Sequence, residues 1–123
     1  MEKIKLILIM LFACFCLSCE KEQEQEMEKS TRYDLISMID FQDRECVDNF
    51  EYYYVEFFEN GECVLEHKKI ESETPNKSIG SFTKTNNQYI VNINGMTLNF
   101  VFLENDKLEC QILVNKLIFK KGE

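Results

Sequence analysis

Beyond residue 40, the side chains that could do chemistry are three cysteines, one histidine and a few close-set carboxylate pairs. Cys63, Leu65 and His67 alternate, so an extended backbone puts all three on one face and sets Cys63 and His67 up as two metal ligands. A zinc site needs three or four protein ligands, and two do not make one. Lys68 and Lys69 follow the histidine, which predicts a surface imidazole. Asp43 with Glu45 and Glu71 with Glu73 are carboxylate pairs, but glycosidase-type catalysis needs one carboxyl with a raised pKa in a pocket. On a chain this acidic they read as solvating groups. There is no Gly-rich phosphate loop, no Gly-x-Ser-x-Gly and no metal-type Cys-x-x-Cys. The expectation is a protein that is not an enzyme, with no catalytic residues, no metal and no cofactor.

Cys46, Cys63 and Cys110 are candidates for a disulfide outside the cytosol, where one pair could oxidise and leave one thiol over. Cys46 with Cys63 would staple the approach segment to the first hairpin. Cys46 with Cys110 would tie the two ends of the domain together. The alternative is three small buried hydrophobes, and the pairing stays open.

The 123 residues carry a formal charge of −8. Glu2, Lys3 and Lys5 give the first 18 residues a net +1, so the remainder stands at −9. A polyanion repels nucleic-acid phosphates and anionic lipid surfaces, and nucleic acid is excluded as a partner. Residues 30–123 form one small domain, burying roughly 65% of its extended-chain surface. Ten Phe, five Tyr and no Trp suit an aromatic β core.

The first residues set the compartment. A basic Met1–Lys5 start precedes an apolar run to Leu17, then Ser18 and Cys19, with charge beginning at Glu20. This is the build of a secretory signal helix, and the run is short of the ~20 apolar residues a spanning helix needs. Leu17-Ser18-Cys19 resembles the lipobox of bacterial lipoproteins. The resemblance implies cleavage after Ser18 and a diacylglycerol on the Cys19 thiol. Leu11-Phe12-Ala13-Cys14 is a competing match, but cutting there would strand Phe15 and Leu17 in the tether. Residues 19–29 are then a lipidated cysteine and an acidic tether, extended and solvated because it lacks an apolar face. Acidic residues directly after a lipid-bearing cysteine resemble the surface-export signals of some Gram-negative lipoproteins. The expected address is the cell envelope, at the outer membrane, periplasmic or surface-facing.

Within the domain, Thr31 as a cap and the spacing of Leu35, Ile36, Met38 and Ile39 predict a short helix, with a strand as the alternative. From Phe50 the pattern is extended: Phe50–Phe58, Cys63–Ile70, Ile79–Thr85, Gln88–Ile93, Met96–Leu103, Lys107–Leu113 and Lys116–Lys121. Asn60-Gly61 and Asn94-Gly95 are hairpin signals, and 71–78 reads as a loop around Pro75. About seven to eight strands at this spacing predict an all-β antiparallel meander barrel, since closure removes exposed edges. Phe57-Phe-Glu-Asn-Gly61, Gly80-Ser-Phe82, Asn86-Asn-Gln-Tyr-Ile-Val91 and Leu103-Glu-Asn-Asp-Lys-Leu108 are similar to small lipocalin-like lipoprotein domains, with Phe82 where those commonly carry Trp. That resemblance implies a barrel that binds a small apolar ligand. Two other readings stand beside it. One is an interaction or inhibitor module for a basic protein partner, since small lysozyme inhibitors of the envelope are lipoproteins of similar size and acidity. The other is a purely structural envelope lipoprotein.

Overall fold

The computed structural model describes residues 29–122. The expected signal peptide, Cys19 and all but the last residue of the expected tether lie outside the described residues. Eight strands run in sequence: β1 (Ser30–Ile39), β2 (Phe50–Phe58), β3 (Glu62–Lys69), β4 (Asn76–Lys84), β5 (Gln88–Ile93), β6 (Met96–Leu103), β7 (Lys107–Ile112) and β8 (Asn115–Lys121). Each pairs antiparallel with the next, and β1 returns to β8 to close the barrel. The all-β meander barrel expected from the turn spacing is the fold.

The helix expected over 31–39 is instead strand β1, and the reason is local. Tyr33, Leu35 and Met38 face inward, and the register slips between Leu35 and Ser37. That bulge adds one residue, converting an i, i+2 alternation into the i, i+3 spacing that mimics a helix. Pairing on both sides then outweighs the local preference, because without β1 the edges of β2 and β8 would stand open. Strand β4 also begins earlier than the sequence reading, at Asn76, because its pairing with β3 starts there opposite His67. A single 3-10 turn, Val47–Asn49, leads into β2.

An eight-stranded barrel is just wide enough for side chains to fill, and here aromatic rings fill it. Phe57 stacks on Tyr89 with centroids 3.7 Å apart and 9° between planes. Phe82, Phe100 and Tyr33 meet Phe57 edge-on, and Phe119 connects Phe100 to Tyr53. Leu108, Leu117 and the buried thiols of Cys63 and Cys110 close the remaining space. Among the described residues no polar or charged side chain is fully buried. Outside, Arg32, Asp34, Glu56, Glu66 and Lys77 decorate the wall, with the Tyr52 and Tyr54 hydroxyls donating to Glu66 at 2.7 and 2.8 Å. Apolar inside and charged outside is the reverse of a lipid-facing barrel.

The meander sorts its connections into two ends. The proximal end holds Lys29 and the turns 59–61, 85–87 and 104–106. The distal end holds 40–49, 70–75, 94–95 and 113–114. At Gly80 the wall leaves no room for a side chain: a Cβ there would collide with the Asn92 carbonyl oxygen and meet Ile93 Cβ at 2.9 Å. Gly80→Ala is expected to destabilise the barrel by about 1–3 kcal/mol, the usual cost of overpacking, read from urea midpoints. A variant as stable as the parent would contradict this close approach.

Candidate functional site

The ring column does not reach the ends of the barrel, and each end opens as a recess. The distal one is the larger, an open cup of about 640 Å³. Met38 of β1, Phe50 and Tyr53 of β2 and His67 of β3 line its apolar side, and Asp40, Cys46, Asp48, Lys69, Ile70, Glu71 and Asn115 stand round the rest. The proximal recess, about 460 Å³, lies over Phe57, Phe82 and Tyr89, with Lys84 Nζ 5.8 Å from the Tyr89 ring.

In the cup the parity of β3 turns His67 inward with Leu65 and Cys63. Its imidazole stacks on Tyr53, centroids 4.6 Å apart and planes at 24°, and Phe50 meets it edge-on at 5.6 Å. His67 is thus not the surface residue that its lysine neighbours suggest, for Lys68 faces outward and bonds Glu51 at 2.7 Å. Burial of His67, aided by the nearby Lys69 charge, lowers its pKa, so the ring is neutral at pH 7. Its Nδ1 is buried and has no hydrogen-bond partner among the described residues. A buried polar atom left unpaired costs about 1–3 kcal/mol, and here it lines an open cup.

One flank of the cup is the connection 40–49, organised by two carboxylates. Asp40 accepts from the Gln42 and Arg44 backbone N–H groups at 2.8 and 2.9 Å and from Arg44 Nε at 2.9 Å. Those bonds, the Arg44 N–H first, hold its carboxyl below the usual range. Glu45 accepts from Ser37 Oγ at 2.6 Å, Met38 N at 2.7 Å and Val47 N at 3.1 Å, and its pKa is lowered in the same way, by the Ser37 hydroxyl above all. The pair Asp43 and Glu45 therefore divides: Glu45 fastens the loop to β1, while Asp43, at φ 60°, occupies its turn.

The three cysteines are all free thiols. Cys46 stands at the distal rim, its Sγ 3.7 Å from Asp40 Oδ2, with burial and then the Asp40 charge raising its pKa. Cys63 opens β3 at the proximal end, so the length of that strand, at ~3.3 Å per residue, separates it from Cys46. Cys110 pairs with Leu117, Leu117 with Met38, and the Met38 carbonyl with Cys46 N. Two strand spacings at ~4.8 Å each already exceed the ~7 Å Cα limit for a disulfide, so neither pairing considered from the sequence is formed. Burial pushes the Cys63 thiol up to about 11 and the Cys110 thiol up to about 12. Both stay protonated near neutrality, and a thiol rather than a thiolate is a poor metal ligand. Among the described residues, no three His, Cys, Asp or Glu side chains converge to hold a metal ion. Sequence reasoning missed the cup itself; the inward parity of Cys63, Leu65 and His67 was the available signal. Comparison with protein-family models, with curated proteins and with solved structures finds no match.

The lowered His67 pKa makes a pH prediction. Between its unfolded value near 6.5 and its lower folded value, the unfolded chain binds more protons, so stability falls as pH drops below 6.5. The carboxylates contribute only further down, below about 4.5. Urea titrations of the parent and of His67→Phe across pH 7 to 5 are expected to show this decline in the parent alone. Parallel curves would contradict it.

Proposed function

We propose that this chain is an exported, lipid-anchored binding module of the cell envelope, held at the outer membrane through Cys19, whose distal cup takes a small, largely apolar ligand carrying one hydrogen-bond donor. The observation that carries the reading is the buried, unpartnered His67 Nδ1 on the apolar side of an open cup of about 640 Å³. Ligand sites are concave, mostly apolar, and fixed by a few convergent polar groups, and this volume lies within their usual range. The Phe50, Tyr53 and His67 rings supply the stacking surface, and Nδ1 supplies the acceptor. Binding is favoured over catalysis because, among the described residues, no group is hydrogen-bonded to the His67 Nδ1 to act with it. Anchorage is supported by the lipobox-like Leu17-Ser18-Cys19 and by the polar outer wall, which leaves the acyl chains as the membrane contact. Several acyl chains, at ~0.8 kcal/mol for each buried methylene, hold a protein stably.

For the anchor, intact mass spectrometry of purified protein is expected to find a chain beginning at Cys19 with acyl mass added. An intact Met1, or an unmodified cysteine at the start, would end that part of the proposal.

For the cup, 1-naphthol is the probe, with 1-methoxynaphthalene, which cannot donate, as its control. Nuclear magnetic resonance shifts of the His67 and Tyr53 rings are expected to saturate with naphthol. Naphthol should bind about tenfold more tightly than the ether, the worth of one hydrogen bond to a buried acceptor. In His67→Phe that gap should close. Absence of saturable shifts at millimolar probe, or a gap that survives in His67→Phe, would refute the reading.

A further inference from the structure

We infer that the distal end of the barrel is a docking surface for a cationic amphipathic segment of a partner protein. The four distal connections are neighbours around the mouth, because β8 lies beside β1 and each hairpin beside the next. They carry Phe41, Ile70, Leu113 and Val114 at 70, 64, 83 and 59% exposure, and Met96, 43% exposed, begins β6 beside them. The proximal turns, Glu59–Gly61, Thr85–Asn87 and Glu104–Asp106, hold no apolar residue at all. Ile36, Ile79, Val101 and Leu103 are exposed singly along the outer wall, which is ordinary, but a cluster of apolar tips around one mouth of a small acidic domain marks an interaction surface.

The backbone makes the same point. Leu113 sits at φ 58°, in the left-handed region that favours Gly, Asn or Asp. The other tight turns meet that demand with such residues, Asn94-Gly95 and Asn105-Asp106. At 113 an Asn would be both less strained and more soluble than the leucine that stands there. The site keeps a strained, exposed leucine, and strain of this kind concentrates where binding happens.

Charge selects the occupant. Around the crown, 40–49 carries Asp40, Asp43, Glu45 and Asp48 against Arg44, a net −3, and 70–75 adds Glu71 and Glu73, a net −2, so that with Lys69 and Lys116 at the adjoining strand ends the rim stands at −3. A second copy of this chain would bring carboxylates against carboxylates, and an anionic bilayer would be repelled. A segment that alternates apolar side chains with Lys or Arg satisfies crown and carboxylates together. The tether leaves from the opposite end, so the crown faces away from the anchor. Asp40, Asp48, Ile70 and Glu71 are shared with the rim of the cup, whereas Phe41 and Leu113 do not line it, so the variants at Phe41 and Leu113 separate this surface from the small-ligand reading.

The test uses a fluorescent peptide of alternating leucine and lysine, its leucine–glutamate counterpart, and anisotropy with the purified protein. The lysine peptide should bind, and should lose at least tenfold in affinity between about 50 and about 500 mM salt, as the Debye length shortens. Phe41→Ser with Leu113→Asn should lose at least tenfold, and Glu71→Lys with Glu73→Lys should lose as much. Glu104→Lys with Asp106→Lys, at the proximal end, should bind as the parent does. Leu113→Asn alone should melt no lower than the parent, which separates loss of binding from loss of fold. The proposal is overturned if the crown variants bind like the parent or the glutamate peptide binds as well. It is equally overturned if the proximal charge reversal weakens binding as much as the distal one. Sedimentation that finds a dimer abolished by Phe41→Ser would make a second copy the occupant and would also overturn it.

Discussion

The pairing of β1 with β8 is the interaction on which the rest of this molecule depends. Tyr33 to Ile39 lie against Lys121 to Lys116, and that seam turns an open eight-stranded sheet into a closed wall. A domain this small has little surface to bury and no helix to cover a sheet edge, so closure is how it avoids exposed ladders. Closure also fixes the interior diameter. At eight strands the space is filled by one column of rings, and Phe57, Tyr89, Phe100 and Phe119 are that column.

A filled middle has consequences for chemistry. The barrel is no hollow carrier with a deep central cavity; it is a plug with a recess at each mouth. What can differ between the mouths is the identity of the last inward residue on each strand and of the turns beyond it. At the proximal mouth a lysine stands over Tyr89 and Phe102, and the turns are polar. At the distal mouth a neutral imidazole is sandwiched between Tyr53 and Phe50, with a buried nitrogen left over and a ring of carboxylates and apolar tips around it. Two ends of one sheet have thereby become chemically distinct surfaces.

How much of this was legible in the sequence depended on whether the deciding contacts were local. Asn60-Gly61 and Asn94-Gly95 announce hairpins because positive φ is demanded at the residues themselves, and Gly61, Asn94 and Gly95 adopt it. In the first strand the spacing of Leu35, Ile36, Met38 and Ile39 fits a helix because a bulge falls among them, and only the partner strands decide for the extended alternative. The start of β4 was hidden because Asn76, Lys77 and Ser78 are polar, and their pairing with β3 is a long-range fact. His67 was misjudged because composition, two adjacent lysines, was weighed above the alternation that groups it with Leu65 and Cys63. The loop 40–49 carries its own organiser in Asp40, but nothing in its sequence says that Glu45 bonds back to Ser37 and Met38. The proposed anchor rests on the first 19 residues alone, and these lie outside the described residues.

An even number of up-and-down strands brings the start of β1 and the end of β8 to the same rim, and Gly122 donates its backbone N–H to the Arg32 carbonyl there. The chain could therefore be joined end to end by a short linker and reopened at Asn94-Gly95 without breaking a single strand pairing. Such a circular permutant would begin and end at the imidazole mouth, so whatever is joined to its first residue would leave from the distal rim and the lysine mouth would face away. The same wall and the same rings would then present the opposite face to the world, so the direction in which this protein looks is set by where the chain is cut and not by its core.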